Sequence, residues 1–323
     1  MRILVVSTSV VPVGALRYGG IEKMAYDLAA GLARAGQQVS MAAPAGSDMP
    51  PGVSLLETVN LPQEQDRDDI AYSKYMDADF DVYHDFSHGH AMGQKGNCPA
   101  AYMLWDPVVF RYPKAKYNIC CVSEWQAERF VRLYRQDAKV FPKYGWVGPE
   151  YRPVQNPTRE RFLHIGKISP EKGALQAIQM AKACAVGLDI VGGLIPSDSQ
   201  EFYQSLVKYD DGVNIRIHFN ATEAEKVELM QNAKAVIYPQ QFDEAHSLVA
   251  IEAAQCHTPM VCYARGALPT LGIANCVQSE AEFLNAIRTI DDWFVPSDVD
   301  WSVDARSETY LGFYKEIARG LRW

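Results

Sequence analysis

Residues 242–261 read FDEAHSLVAIEAAQCHTPMV and contain the features that decide the fold. The apolar run that precedes them, residues 235–239 (AVIYP), is typical of a buried strand in a parallel sheet. From Ser247 onward the apolar residues recur three and four apart, which predicts a short helix with Ser247 as its N-cap. We therefore expect Glu244 at the carboxyl end of a strand, where open α/β sheets bind ligands, and Glu252 further down the helix.

This arrangement predicts an anion site with two hydrogen-bond acceptors beside it. The start of the helix offers four residues whose amide groups can hold a phosphate: His246, Ser247, Leu248 and Val249. Glu244 and Glu252 can each accept a hydrogen bond from a hydroxyl group. A ligand with both a phosphate and sugar hydroxyls would satisfy the whole arrangement. The alternative is an ordinary strand, loop and helix with two solvated glutamates.

Length and composition limit the class of protein. A chain of 323 residues suits about two domains, and its alternation of apolar runs with amphipathic segments is typical of α/β proteins. The formal net charge of -8 argues against general nucleic-acid binding, which uses basic surface to neutralise phosphates. The sequence predicts no signal peptide and no apolar stretch long enough to cross a bilayer. Seven cysteines without a Cys-x-x-Cys pair suit a reducing compartment, so we expect a cytoplasmic protein.

The first half opens with a strand at residues 3–6, a loop that contains Gly19 and Gly20, and a helix that ends near Gly36. Glycine lets backbone amides come close to a phosphate. The loop lacks the G-x-G-x-x-G spacing of dinucleotide-binding proteins, which argues against a dehydrogenase, and a plain turn into a helix is the alternative. Residues 46–69 are rich in Pro, Gly and acidic residues, which predicts a loop.

A second apolar run in the first half ends in His84. An uncharged imidazole at a strand end can donate a hydrogen bond to a sugar or acceptor oxygen. Two rival interpretations are a metal site built from His84, His88 and His90, and a packed surface histidine. Metal is disfavoured because no carboxylate or cysteine partner has diagnostic spacing.

The second half begins as the first does, with a strand at residues 161–165 and then the glycine-bearing segment GKISPEKG, residues 166–173. Lys167 and Lys172 are expected at the strand end and at the start of the next helix. Two cations beside backbone amides suit a diphosphate, and plain surface charge is the alternative.

Prolines in residues 148–158 indicate a linker and divide the chain. We expect an N-terminal Rossmann-like, acceptor-side domain at residues 1–150 and a nucleotide-sugar domain of the same kind at residues 151–300. A C-terminal helix within residues 301–323 would follow.

These motifs together resemble those of the retaining glycosyltransferases of family four, in the glycogen-synthase-like group. The resemblance spans nearly the whole chain and rests on four elements in order: Gly19-Gly20, His84, Lys167 with Lys172, and the E-x7-E spacing of Glu244 and Glu252. It is most specific in the second half. In that half two motifs depart from the family pattern, because Lys167 replaces the usual Arg and His246-Ser247 replaces the Phe-Gly of a Phe-Gly-Leu turn.

The resemblance implies a GT-B fold, in which two Rossmann-like domains enclose a cleft and a C-terminal helix crosses back to the first domain. It implies a metal-independent, retaining hexosyltransferase that needs no cofactor and moves a sugar from a UDP- or GDP-sugar to a hydroxyl acceptor. That acceptor would be a saccharide, a lipid-linked compound or a small molecule. No nucleic acid is expected as a partner, and membrane contact would be peripheral at most.

The resemblance also assigns roles to individual residues. Glu244, His84 and Lys172 would be catalytic, with Glu244 orienting the sugar and His84 contacting the sugar or the acceptor. The donor would be bound by Gly19, Gly20, Lys167, Lys172, His246, Ser247, Leu248, Val249 and Glu252. Glu252 would accept from the ribose. Alternatives are a nucleotide-sugar-binding GT-B protein without catalysis, an epimerase or phosphorylase of the same fold, and a metal hydrolase that uses the histidines.

Overall fold

The computed structural model describes residues 1–9, 11–14, 19–58, 72, 75, 79–88, 90, 92, 99–104, 118–135, 137–140, 144–193, 200–292 and 299–322. The chain forms two compact units. Unit 1 consists of Met1–Gly148 together with Trp301–Trp323, and unit 2 is Pro149–Asp300. Each unit is built around its own parallel sheet with helices, and the two sheets share no strand.

Unit 1 contains a seven-stranded sheet with the strand order β3-β2-β1-β4-β5-β6-β7. Its strands are β1 Arg2–Val6, β2 Gln38–Pro44, β3 Val53–Thr58, β4 Val82–Asp85, β5 Ala100–Met103, β6 Ile119–Cys121 and β7 Lys139–Val140. All neighbouring strands run parallel. Strands β4, β5 and β6 are buried along their whole length, which is why β5 and β6 are continuous apolar runs rather than alternating patterns.

Three helices are described in unit 1: α1 Gly20–Arg34, α2 Glu124–Tyr134 and α9 Val303–Ala318. Helix α9 packs on α1, although the two are far apart in the chain. The contact is close at Gly31, where an added Cβ would clash with the Ser307 hydroxyl. At its edge Arg34 pairs with Asp304 at 2.6 Å.

Unit 2 contains a six-stranded sheet with the order β10-β9-β8-β11-β12-β13. Its strands are β8 Phe162–Ile165, β9 Leu188–Gly192, β10 Ile215–Phe219, β11 Val236–Tyr238, β12 Met260–Tyr263 and β13 Asn275–Val277. Neighbouring strands are again parallel. Parallel strands need crossover connections, and the intervening helices provide them.

The described helices of unit 2 are α3 Ala174–Cys184, α4 Gln200–Val207, α5 Glu223–Asn232, α6 Leu248–Gln255, α7 Leu268–Leu271 and α8 Glu280–Arg288. Short 3₁₀ turns lie at Pro170–Lys172 and Ile290–Asp292. The core contains Phe162, Ile190 and Ile237 from the sheet, against Ile178 of α3 and Phe283 of α8. The apolar periodicity of both helices is therefore explained by burial in one core.

The sequence-based prediction of secondary structure is right at the helix that Ser247 was expected to cap and wrong in one loop. Ser123 and Ser247 are N-caps whose hydroxyl groups accept from the amides of Gln126 and Ala250. Within residues 46–69, however, Val53–Thr58 is strand β3, which pairs with β2 along its length. Proline and glycine on its N-terminal side suggested a loop, but pairing with an existing strand supplies hydrogen bonds that local sequence does not reveal.

Candidate functional site

The order of strands in unit 2 reverses between β8 and β11. Strand β8 is followed in sequence by β9 on one side of this point, and β11 is followed by β12 on the other. The loops after β8 and β11 therefore turn away from each other and leave a gap at the carboxyl end of the sheet, which is where open α/β sheets bind ligands. Lys167 and Lys172 follow β8, and Glu244 follows β11.

Lys172, Tyr238 and Glu244 form a hydrogen-bonded cluster at this switch point. The Lys172 ammonium donates to the Tyr238 hydroxyl and to Oε1 of Glu244, both at 3.1 Å. The Tyr238 hydroxyl donates to the same oxygen at 2.6 Å. Lys172 also lies 4.3 Å from the centre of the Phe242 ring. The cluster holds a carboxylate and a cation side by side, as a ligand with hydroxyl groups and a phosphate requires.

Glycine residues let neighbouring backbone pack against this cluster. Gly266 has φ +62, and a Cβ at this position would clash with the carbonyl oxygen of Glu244. The next amide, of Ala267, donates to that carbonyl at 2.7 Å. Gly173 has φ +86 and approaches the carbonyl of Pro239 in the same way. Glu244 and Lys172 are thus fixed by backbone contacts that a larger residue would prevent.

The start of helix α6 lies directly after Glu244. Ser247 caps it, and the amides of Leu248 and Val249 belong to its first turn, which has no acceptors within the helix. Burial lowers the pKa of His246 to about 4, so its imidazole is neutral at physiological pH. The first turn can therefore offer amide dipoles to an anion, but His246 adds no positive charge.

The half-buried Lys167 and the cation Lys172 lie on the same loop after β8. The Lys167 carbonyl accepts from the amide of Ser169 at 2.9 Å, which tightens the loop before the 3₁₀ turn. Gly166 faces the Lys172 side chain, so that an added Cβ would lie 3.5 Å from the lysine Cβ. The expected contact of both lysines with a diphosphate stays a prediction.

Glu252 lies in a second polar cluster, apart from Lys172, Tyr238 and Glu244. Its Oε1 accepts from the Tyr151 hydroxyl and from the Lys226 ammonium, both at 3.1 Å. The single proton of the Tyr151 hydroxyl is shared with Glu223, whose Oε1 lies 2.6 Å away, and Lys226 contacts Glu223 at 3.1 Å. Three elements meet here, namely the segment before β8, helix α5 and helix α6. The sequence prediction that Glu252 receives a ribose hydroxyl is not tested by these contacts.

Sequence reasoning missed Tyr238, Tyr151 and Lys226. Tyr238 ends an apolar strand, and a tyrosine in that place has the pattern of an ordinary core residue. Lys226 lies 26 residues before Glu252 in the sequence, and Tyr151 lies 101 residues before it. Of the three, only Lys226 had a signal in the sequence. It lies one helix turn after Glu223, and that spacing is typical of an exposed ion pair.

In unit 1, Gly19 and Gly20 begin helix α1, with Gly19 as its N-cap at φ +148. The Glu22 side chain folds back toward Gly19, and the Thr8 hydroxyl donates to its carboxylate. The N-terminus of α1 therefore has the Glu22 carboxylate beside it. Glu22 was not singled out from the sequence, although its place three residues after the N-cap is one that often carries a capping glutamate.

His84 lies inside unit 1 with no exposed surface. Its ring stacks on Phe86, with 4.3 Å between ring centres, and its Nδ1 is hydrogen-bonded to the hydroxyl of Tyr314 in helix α9. Burial lowers its pKa to about 3, so the ring is uncharged. Because the side chain is fully buried here, contact with a sugar or an acceptor is not seen, and that role stays a prediction.

The described residues contain no group of three or more His, Cys, Asp or Glu side chains placed to hold a metal ion, so His84, His88 and His90 do not form one. Nor does the described part of the chain contain a helix that is both long and apolar enough to cross a membrane.

Unit 2 resembles a known protein family over most of its length. Residues 150–275 match the family model "Glycosyl transferases group 1". Unit 2 is therefore similar to a glycosyltransferase group 1 domain. The switch point with Lys172, Tyr238 and Glu244 and the cluster around Glu252 both lie within the matched residues. No curated protein sequence matches the chain.

Solved structures show the fold of the whole chain. The glycosyltransferase AviGT4, involved in avilamycin A biosynthesis, is similar with a TM-score of 0.78 at 23% identity, over 100% of this chain and 99% of its own. Sucrose-phosphate synthase from Thermosynechococcus elongatus has a TM-score of 0.70 at 16% identity, over 98% and 96%. HepE of Anabaena, solved with UDP-glucose, has a TM-score of 0.69 at 15% identity, over 99% and 98%. The chain has the GT-B fold.

Proposed function

We propose that the protein is a retaining glycosyltransferase that moves a sugar from a nucleotide-diphosphate donor to a hydroxyl group. The observation that carries this proposal is the cluster of Lys172, Tyr238 and Glu244 at the strand switch point of a glycosyltransferase group 1 domain. Support comes from similar folds, since HepE was solved with UDP-glucose and starch synthase IV of Arabidopsis thaliana with ADP and acarbose.

Lys172 has the chemistry to neutralise the diphosphate that leaves. A lysine ammonium is a compact charge, and one that already lies beside a carboxylate can turn to a phosphate oxygen when a donor enters. Lys167 and the first amides of α6 would share that negative charge, so the proposed reaction needs no metal. The departing phosphate would take the proton of the acceptor hydroxyl, and the new glycosidic bond would form on the face that the phosphate leaves.

Glu244 would orient the sugar. Its Oε1 is held by Tyr238 and Lys172, and a carboxylate fixed in this way can accept hydrogen bonds from sugar hydroxyls without reorganising at the moment of reaction. Glu252 would accept from the ribose. The donor in this proposal is a UDP- or GDP-sugar, and the acceptor is a saccharide, a lipid-linked compound or a small molecule.

The proposed compartment is the cytoplasm. The six cysteines within the described part of the chain are free thiols, among them the buried Cys120, Cys121 and Cys256. Free buried thiols suit a reducing environment, where UDP- and GDP-sugars would be supplied as soluble donors.

The test begins with a thermal-shift screen of the purified protein against UDP, GDP, ADP and their common sugar conjugates, without metal and then with magnesium. Transfer from the donor that binds is then measured, and the anomeric configuration of the product is read by NMR. We expect Glu244→Gln to lower kcat roughly a hundredfold, because a preorganised charge at the reacting sugar is lost. Lys172→Met should weaken donor binding by about tenfold or more.

Lys182→Met is the matched control, since Lys182 is an exposed lysine on helix α3 that lies over the ring of Tyr209. It should leave both constants unchanged. Normal turnover by Glu244→Gln and Lys172→Met together would refute the proposal. Donor binding without transfer would reduce it to a nucleotide-sugar-binding protein, and phosphorolysis by free phosphate would replace it with a phosphorylase.

A further inference from the structure

We infer that Lys226 and Tyr151 are positioning residues that hold Glu252 ready for the ribose hydroxyls of the donor. The inference rests on the proposed function, because it takes Glu252 as the ribose acceptor, and it extends that function to two residues outside the sequence motifs. It is carried by the geometry of the cluster formed by Tyr151, Glu223, Lys226 and Glu252.

Both hydrogen bonds to Glu252 reach the same oxygen. The Tyr151 hydroxyl and the Lys226 ammonium each contact Oε1 at 3.1 Å. The hydrogen bonds found among the described residues therefore leave Oε2 of Glu252 for a ligand. The Glu252 side chain is 13% exposed, so the carboxylate lies at the edge of the buried region rather than deep within it. A carboxylate fixed through one oxygen presents the other in a defined direction.

Lys226 is itself held in place by several contacts. Its ammonium lies 3.1 Å from Oε1 of Glu223 as well as from Glu252, and 5.3 Å from the centre of the Tyr151 ring. The side chain is 19% exposed. A lysine that is partly removed from water and touches two carboxylates and an aromatic face has little freedom left, so it can act as a rigid support.

The charges of the cluster show why the lysine is needed. Burial raises the pKa of Glu252 and Glu223 raises it further, whereas Lys226 and the Tyr151 hydroxyl lower it, with an upward net shift. Burial alone would lower the pKa of Lys226, but Glu252 and Glu223 outweigh it and raise the pKa. Cys256, which also faces Glu252, has a pKa raised to about 12 by burial and stays neutral. Lys226 thus lowers the pKa of Glu252 against the effects of burial and of Glu223.

Replacement of Lys226 by methionine removes the cation and keeps the length of the side chain. Glu223 and Glu252 would then be two carboxylates joined by one phenol with no cation between them, and the pKa of Glu252, already raised, should rise further. A larger fraction of Glu252 is then protonated near pH 7 and presents no ionised oxygen. The ribose contact should weaken near pH 7 and return as the pH rises and the proton leaves.

The experiment measures binding of the nucleoside diphosphate selected by the donor screen, and of its 2′,3′-dideoxy analogue, by calorimetry from pH 6 to pH 9. In the wild type the ribose form should bind better than the analogue. Lys226→Met should reduce this preference about tenfold at pH 7 and regain most of it at pH 9, with kcat at saturating donor unchanged. Lys226→Arg should keep the preference, because it keeps the charge.

Tyr151→Phe is the second variant, in case Lys226→Met does not fold. It removes one hydrogen bond to Glu252 and leaves the lysine, so we expect a reduced ribose preference with a smaller shift along the pH axis than Lys226→Met causes. Lys234→Met, which removes an exposed pair with Asp291 at 3.0 Å, is the control and should bind as the wild type does.

Two outcomes separate this inference from the proposed function. The inference alone is overturned if the wild-type protein binds a nucleotide and the Lys226→Met and Tyr151→Phe variants keep the full preference for ribose. Wild-type protein that binds no nucleotide at all would overturn the proposed function and this inference with it.

Discussion

Gly266 and Gly272 are two glycines with nearly the same backbone conformation in different surroundings. Their φ angles are +62 and +68, so an L-residue is strained at either position. At Gly272 an added Cβ meets nothing within 4 Å, whereas at Gly266 it would clash with the backbone of Glu244. Alanine variants at the two positions therefore separate the effect of displacing Glu244 from the effect of backbone strain.

We expect Gly272→Ala to cost about 1 kcal/mol of stability through backbone strain and to leave donor turnover unchanged. Gly266→Ala should displace Glu244 and lower turnover roughly tenfold to a hundredfold, because small misplacements of a positioning group are costly. Steady-state kinetics with the donor from the screen, together with urea unfolding of both variants, measure this. Equal turnover in the two variants would mean that the Gly266 contact does not position Glu244.

At the residue scale, sequence reasoning located Glu244 and Lys172 but not the groups that hold them. The two residues were recognisable because each follows a strand, and strand ends are visible as the ends of apolar runs. Tyr238 was not, since its hydroxyl matters only through Glu244 and Lys172. His84 was read as a residue facing a ligand, but its hydrogen-bond partner, Tyr314, lies 230 residues further along the chain. No local pattern reveals such a partner.

At the scale of elements, the contact between helices α1 and α9 depends on a glycine. Gly31 in α1 faces Ser307 and Val303 of α9 so closely that an added Cβ would clash with the Ser307 hydroxyl and lie 3.0 Å from Cγ2 of Val303. At Gly312, in α9 itself, an added Cβ would meet nothing within 4 Å. The same substitution should therefore have opposite effects at the two positions.

Gly312→Ala should stabilise the protein by about 0.5–1 kcal/mol, because alanine is the better helix former and meets no obstacle. Gly31→Ala gains the same propensity but must push Ser307 and Val303 away, and we expect a net loss of about 1–2 kcal/mol. Urea unfolding followed by circular dichroism measures both. A stabilising Gly31→Ala would show that α9 shifts at no cost.

Elements that repeat a known local pattern were predictable, and those defined by pairing were not. The serine caps of α2 and α6 could be named from the sequence because a cap bonds within its own turn. Strand β3 could not be predicted, because it is stabilised by hydrogen bonds to β2, and its own sequence contains no sign of that pairing. The cluster around Glu252 joins three separate elements and has no local signature at all.

At the scale of the whole molecule, buried histidines link stability to pH. Burial lowers the pKa of His84 to about 3 and those of His164 and His246 to about 4. In the unfolded chain these groups have the ordinary pKa of about 6.5. Between pH 6.5 and pH 4 the unfolded state therefore binds more protons than the folded state, so stability must fall as the pH falls through this window.

We expect each of these histidines to cost about 1.4 kcal/mol of stability for every pH unit below 6.5, until its folded pKa is reached. His164→Asn tests one of them, because asparagine keeps a donor for the Ile237 carbonyl that His164 contacts at 3.0 Å. Urea unfolding at pH 7.0, 6.0 and 5.0 gives the free energy of unfolding as a function of pH. For His164→Asn its slope should be smaller than that of the wild type by about this amount. An unchanged slope would mean that His164 is protonated in the folded state.

The discontinuity of unit 1 also sets the order in which the protein can be completed on the ribosome. Unit 2 is continuous from Pro149 to Asp300, whereas unit 1 needs Trp301–Trp323 in addition to Met1–Gly148. A nascent chain emerges N-terminus first, so α1 must wait with its α9-facing side uncovered while every residue of unit 2 is made. The unit that leaves the ribosome first is thus the last to acquire its full core, and it spends that interval with apolar surface open to chaperones.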